Sequence, residues 1–179
     1  MSREVYIRAV VKLGSQDPDF KEVISPMEAR RMGRLLKRAV WCSSKALQEA
    51  GIVMPDAVIT ATDYGCMENS EAFLQGVLNP QEGAMSPTKF MQSTHNTIGS
   101  LIAIRLGCHG YNATYSHTGC SLRSALEDAM MQLHRLFAGL RGIIERTACL
   151  FQHLHRFPSF CRAAQHQYHD SGSSPFLNR

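Results

Sequence analysis

Between two helical stretches the chain carries Ala57 to Ala61 (AVITA), a short run of small and β-branched residues with no polar alternation. Such a run is the signature of a strand covered on both faces. A strand of that kind needs helices above and below it, and it reaches parallel neighbours only through helical crossovers. This one segment therefore predicts an α/β fold with a mixed, mostly parallel sheet and helices on both faces.

The flanking segments agree. Ser25-Pro26-Met27-Glu28 reads as a helix start: Ser25 caps, Pro26 suits the first helical position, and Glu28 closes a capping box. Met32, Leu35, Leu36, Ala39, Val40, Ala46, Leu47 and Ala50 then recur at helical spacing until Gly51, so one helix is expected from Pro26 to Gly51. Glu68 to Leu78 is expected to be helical and Pro80 to Pro87 a loop. Thr94 to Leu106 is expected to be a helix capped by Thr94 and stopped by Gly107. Tyr111 to Tyr115 (YNATY) alternates like a strand, and Ser121 to Leu133 is helical. Glu4 to Val11 is β-rich and reads as a first or edge strand. Sheets of this class place their sites where strands end and helices begin, here Thr62 to Glu68 and Ser116 to Ser121.

The formal charge of +4 invites an acidic partner until its distribution is examined. Residues 1–133 hold 13 Lys and Arg against 13 Asp and Glu; residues 134–179 hold six Arg against Glu145 and Asp170. The excess lies wholly in the last segment, which has no Lys and no clean period. A domain over 1–133 followed by an unrelated, poorly structured tail over 134–179 is the expectation. A shifted reading frame after Leu133 would produce such a change in composition. No apolar run reaches the roughly 18 residues of a membrane helix, since Arg105 interrupts the best candidate. Arg3, Glu4 and Arg8 leave no signal-peptide core, so a cytoplasmic protein with six reduced cysteines is expected.

Several constellations compete for the chemistry. Cys108-His109 with His117 and Cys120 offers zinc two sulfurs and two nitrogens, and Cys149, His153, Cys161, His166 and His169 offer a second set. Neither has the tight paired spacing of a zinc module, and no metal site is predicted. His166-x3-Asp170 matches an acyltransferase HxxxD pattern, too short to carry weight. There is no GxGxxG, Walker loop or GxSxG. Arg30, Arg31, Arg34, Lys37 and Arg38 form a basic helix face. Without interleaved aromatics, and in a segment neutral by count, it does not point to nucleic acid.

Ser86 to Leu133 (SPTKFMQSTHNTIGSLIAIRLGCHGYNATYSHTGCSLRSALEDAMMQL) resembles the N-terminal half of a β-ketoacyl synthase. It is closest to the divergent, chain-length-factor-like branch of polyene-pigment clusters. Ala57 to Leu74 and the arginine-rich helix from Pro26 fit the same branch, and Ser93 to Gly99 (STHNTIG) is the most specific part. The resemblance implies a thiolase-like fold of two α/β halves and condensation of an acyl chain with a malonyl unit on acyl carrier protein. It implies no cofactor. It implies a cysteine nucleophile at a helix N-terminus, histidines from a second half that follows in complete synthases, and a homo- or heterodimer with a ketoacyl synthase through the strand matching Tyr111 to Tyr115. It also gives the basic face a role, docking of the acidic carrier protein by Arg30, Arg34, Lys37 and Arg38, beside the plainer reading of a solvated helix face.

In active members of the family the reactive cysteine lies six residues before an Ala-Leu pair. Counting back from Ala125-Leu126 lands on Gly119, and Cys120 follows it. One residue at a helix N-terminus turns a side chain by about 100°. Two readings stay open: a non-condensing partner subunit in which Cys120 is a small buried hydrophobe, and an acyl transferase in which Cys120 is the nucleophile. His117 and His109 are candidates for a catalytic base or donor. Gly119, Ser121, His95 and Asn96 are candidates for the acyl-pocket and oxyanion region.

Overall fold

The computed structural model describes residues 5–79, 87–117, 119–138 and 148–153, with backbone alone for 135–138 and 148–153. Three strands form one parallel sheet: β1 (Ala57–Thr62), β2 (Tyr111–Tyr115) and β3 (Ala148–His153), in the order β2-β1-β3. β1 is central, with Ala57 opposite Tyr111 on one side and Ala148 on the other.

All six residues of β1 are buried. Val58 joins Leu36 of α2 (Arg34–Ala50) and Ile98 and Ile102 of α5 (Thr97–Leu106) in one core. Ile59 and Ala61 point the other way, onto Ala125 and Ala129 of α6 (Ser121–Ala138), with Tyr115 beside them. The period-two alternation of a strand thus supplies two cores from five consecutive residues. The connectivity accounts for the layering. The chain steps from β1 to β2 through α5, then back across β1 to β3 through α6. Reversing the step while keeping right-handed crossovers places the two helices on opposite faces.

Close approaches fix the layers. A Cβ on Gly99 of α5 would stand 2.9 Å from Asn112 Oδ1 and 3.2 Å from Thr60 Oγ1, so the helix lies directly on the sheet. Across the sheet Thr60 Oγ1 and Thr114 Oγ1 are 2.7 Å apart. At the entry to β2, a Cβ on Gly110 would run into the Asp56 carbonyl oxygen.

Several local expectations change. The helix expected from Pro26 is two. The capping box forms, with Glu28 N–H donating to Ser25 Oγ at 3.3 Å and Ser25 N–H to Glu28 Oε2 at 3.1 Å. That helix, α1, ends after Pro26–Ala29, and α2 starts anew at Arg34 behind Gly33, whose ψ of 165° is extended. Glu68 makes the restart possible by accepting the Arg34 N–H at 3.2 Å. Residues 5–11 form no strand; Tyr6, Ile7 and Val10 are exposed while Val11 packs on the core. β-propensity alone does not make a strand. α5 begins at Thr97 instead of Thr94, and the Thr94 hydroxyl pairs with Thr97 Oγ1 at 3.0 Å. α3 (Met67–Leu78) and Gly51 and Gly107, left-handed at φ 68° and 65°, stand where the pattern puts them. The loop expected from Pro80 lies outside the described residues up to 86; Pro87–Met91 is a short helix, α4. α6 runs past Leu133 to Ala138, and β3 falls in a segment whose composition shows no strand period.

Candidate functional site

The C-terminal ends of β1 and β2 meet the start of α6 through one hydroxyl. Ser121, the first residue of α6, is 2% exposed. Its Oγ accepts the His117 backbone N–H at 2.9 Å. Three oxygens surround it: His117 O at 2.6 Å, Asp63 Oδ1 at 2.9 Å and Thr62 O at 3.1 Å. One hydroxyl proton serves one of them at a time. The arrangement locks the β2–α6 turn onto the end of β1. Asp63, absent from the candidates above, is the missed member of this group. Ser116 Oγ adds a second tie by donating to the Asp63 carbonyl at 3.3 Å.

Gly119 precedes Ser121 by two residues and adopts φ +81°, a left-handed conformation open to glycine at little cost. Cys120 is exposed just before α6, not buried as the non-condensing reading expects, because it sits in the turn that leads into the helix. Its N–H donates to His117 O at 3.4 Å, and its carbonyl accepts the Ser124 N–H at 3.1 Å. Cys120 thus stands immediately before the first residue of the 18-residue α6. The other described thiols differ. Burial pushes the Cys42 thiol up, and burial together with the nearby Glu68 charge pushes Cys66 up to about 11. Cys108 donates to the Pro55 carbonyl at 3.2 Å.

His95 reaches the same end of β1 from another side. It lies against Gly65, where a Cβ would stand 3.1 Å from its Cδ2. Gly65 N–H in turn donates to Thr62 Oγ1 at 2.9 Å. His95 and Ser121 are thus both seated on the segment Thr62 to Gly65. Asn96 occupies the capping position of α5 but makes no side-chain cap bond. The His117 ring is exposed, 6.0 Å from the Tyr115 ring. His109 and Cys108 are not part of this group: they precede β2, whereas His117 and Cys120 follow it. A five-residue strand separates the two pairs by roughly 15 Å. One ion does not span that gap, and among the described residues no three His, Cys, Asp or Glu side chains form a metal-binding group. The sites noted at His166, Asp170 and the other residues beyond 153 lie outside the described residues.

At the outer edge of β2, Asp128 is 4% exposed and takes the Gln132 amide at 3.1 Å on Oδ1. Its Oδ2 is buried without a hydrogen-bond partner among the described residues. Burial and this carboxylate raise the Tyr111 phenol and push Tyr115 up to about 12.

The basic face is split by the break at Gly33. Arg30 and Arg31 are exposed just after α1, while Arg34, Lys37 and Arg38 lie on α2. Arg34 and Arg38 are engaged. Arg34 Nε donates to Asp17 Oδ2 at 2.7 Å and Arg38 Nη1 to Asp17 Oδ1 at 3.1 Å. Arg34 Nη2 also donates to the Ser15 carbonyl at 3.2 Å, and Arg38 Nη2 to that of Gly14. Asp17 raises the Arg34 pKa. Beside them, an open cleft of about 460 Å³ runs between the start of α2 and the β1–α3 turn, lined by Leu36, Tyr64, Cys66 and Met67 among others.

Comparisons with known proteins agree with this architecture. Residues 8–139 match the family described as Beta-ketoacyl synthase, N-terminal domain. Among solved structures, the chain is similar to a ketosynthase (ApeO) in complex with its chain length factor (ApeC) from Xenorhabdus doucetiae. The TM-score is 0.59 at 23% identity, over 79% of this chain and 54% of that one. It is similar to the ishigamide ketosynthase/chain length factor, with TM-score 0.53 at 19% identity, over 87% and 43%. It is also similar to a β-ketoacyl synthase from Burkholderia phymatum STM815, with TM-score 0.52 at 18% identity, over 68% and 31%. At these identities the structures bear on the fold alone, and the chain spans about half or less of each. No curated protein matches. The parallel sheet with helices on both faces, and the match over most of the chain, place this protein in the β-ketoacyl synthase family through its N-terminal domain.

Proposed function

We propose that the chain is the N-terminal domain of a chain-length-factor-like subunit, which pairs with a condensing ketosynthase and shapes its acyl pocket in polyketide- or fatty-acid-type synthesis. The observation that carries this reading is the glycine at the family's nucleophile position. Gly119 has no side chain to acylate, and its φ of +81° belongs to a turn that a cysteine enters only with strain. The solved complex of a ketosynthase with its chain length factor supports the choice of partner. The open edge of β2 in the described sheet is the surface for that pairing. Arg30, Arg34, Lys37 and Arg38 serve an acidic acyl carrier protein, and the complex works in the cytoplasm.

The test is co-expression with a condensing ketosynthase, followed by size-exclusion chromatography and a condensation assay. The reading expects a stable heterodimer whose activity survives Cys120→Ala. Loss of activity in that variant, with the complex intact, favours the second reading. There the exposed Cys120 thiol, at the start of α6, attacks the acyl thioester of the carrier protein, forming a new thioester as the carrier's thiol leaves. Labelling of Cys120 by cerulenin or an acyl-thioester substrate points the same way.

A further inference from the structure

We infer that residues 14–17 form a latch over the basic face, which an acidic protein surface must displace in order to dock there. The inference rests on the carrier-docking reading above and concerns how that surface is controlled. One carboxylate, Asp17, bridges two guanidinium groups with one oxygen for each. Two backbone carbonyls, of Gly14 and Ser15, take the far ends of the same forks. The donors that a clustered acidic partner would seek are thereby filled from within the chain. Arg30, Arg31 and Lys37 have no ion pair among the described residues. They are left to attract the partner at longer range.

The latch is built to yield. Its carboxylate side chain is 30% exposed and that of Arg34 is 59% exposed, so water already competes for the pair. The segment is irregular between Gly14 and Asp17, and the core contacts just upstream come from Val11 and Leu13. Displacement therefore costs one exposed ion pair, to Arg34, and one more sheltered pair, to Arg38, whose side chain is 13% exposed, but no core contact. An incoming row of carboxylates replaces Asp17 oxygen for oxygen on both forks, which Arg geometry favours over Lys.

The experiment uses the full chain, Asp17→Asn and the charge-reversed pair Arg34→Glu with Lys37→Glu. It measures binding to acyl carrier protein and, in parallel, to a polyglutamate peptide. Asp17→Asn is expected to bind both probes about three- to ten-fold more tightly than the parent, and the charge-reversed pair to bind neither. Hydrogen exchange in the unmodified protein is expected to speed up at residues 14–17 when either probe is bound. Equal binding by Asp17→Asn and the parent, or exchange at 14–17 that is unchanged or slowed by the probe, overturns the latch. Polyglutamate binding that responds to Asp17→Asn without any carrier-protein binding overturns the docking reading and leaves the latch standing. The absence of binding to either probe overturns both.

Discussion

The hydroxyl of Ser121 stands 2.9 Å from Asp63 Oδ1, joining the first residue of α6 to the segment just past β1 across 58 positions of sequence. Through it the turn bearing Gly119 and Cys120 is held at the end of the central strand. Ser121→Ala removes the hydroxyl and leaves the His117 N–H and the Asp63 carboxylate short of a partner. A loss of about 1–3 kcal/mol in urea unfolding is expected, together with faster exchange at the His117 amide. Unchanged stability would show that the turn is held from elsewhere.

Two glycines are expected to tolerate nothing larger, to different degrees. At Gly110 the obstacle is the Asp56 backbone, which a Cβ would overlap, so Gly110→Ala must displace the entry to β2. A cost of about 3 kcal/mol or more is expected. At Gly99 the nearest atom is a side-chain oxygen of Asn112 at 2.9 Å, which can shift. Gly99→Ala is expected to cost about 1–3 kcal/mol, less than Gly110→Ala in the same denaturation series.

The described thiols should separate by reactivity. Brief exposure of the native protein to iodoacetamide, mapped by mass spectrometry, is expected to modify Cys120 well before Cys42 or Cys66, both of which are buried. Comparable labelling of Cys66 in the native state would contradict its burial.

Cys66 also gives an alkaline instability. Its folded-state pKa of about 11 lies above the value of 9.0 for a free thiol. Below pH 9 the thiol is protonated in both states and the contribution is constant. Between 9 and about 11 the unfolded chain releases its proton first, so folding stability falls by up to about 1.4 kcal/mol per pH unit. Cys66→Ala should flatten that part of the stability profile whatever its effect at pH 7.

Asp128 sets a spectroscopic test. Asp128→Asn removes the charge beside two phenols, so Tyr115 should titrate below about 12, as followed by ultraviolet difference absorbance. The fall is partial, because burial is the larger cause and stays. A Tyr115 titration that does not move would show that the carboxylate is not charged there.

The legible parts of this fold were those written in short range. AVITA and YNATY became β1 and β2, the Ser25–Glu28 box formed, and Gly51 and Gly107 closed their helices. The illegible parts depend on partners far along the chain. The break at Gly33 depends on Glu68, 34 residues from Arg34. The Asp63–Ser121 bond and the Asp17 clasp are polar pairs between loops and helices, with no periodicity to announce them. Among the described residues, the strand over Ala148–His153 takes its register from β1. In the site, the family spacing pointed to Gly119, but the left-handed turn it makes was not legible. Nor was the seat of His95 on Gly65, because only the closeness of two backbones creates it.

The central place of β1 has a consequence for synthesis. β1 leaves the ribosome before either neighbour. Tyr111, opposite Ala57, follows 54 residues later and Ala148, on the other side, 91 residues later. At about 5–20 residues per second, AVITAT spends roughly 5–18 s with an open edge. It is an apolar, uncharged, β-prone hexamer, the kind of segment that pairs readily with copies of itself. The residue run that organises the finished sheet is therefore also the one most in need of a chaperone while the chain is being made.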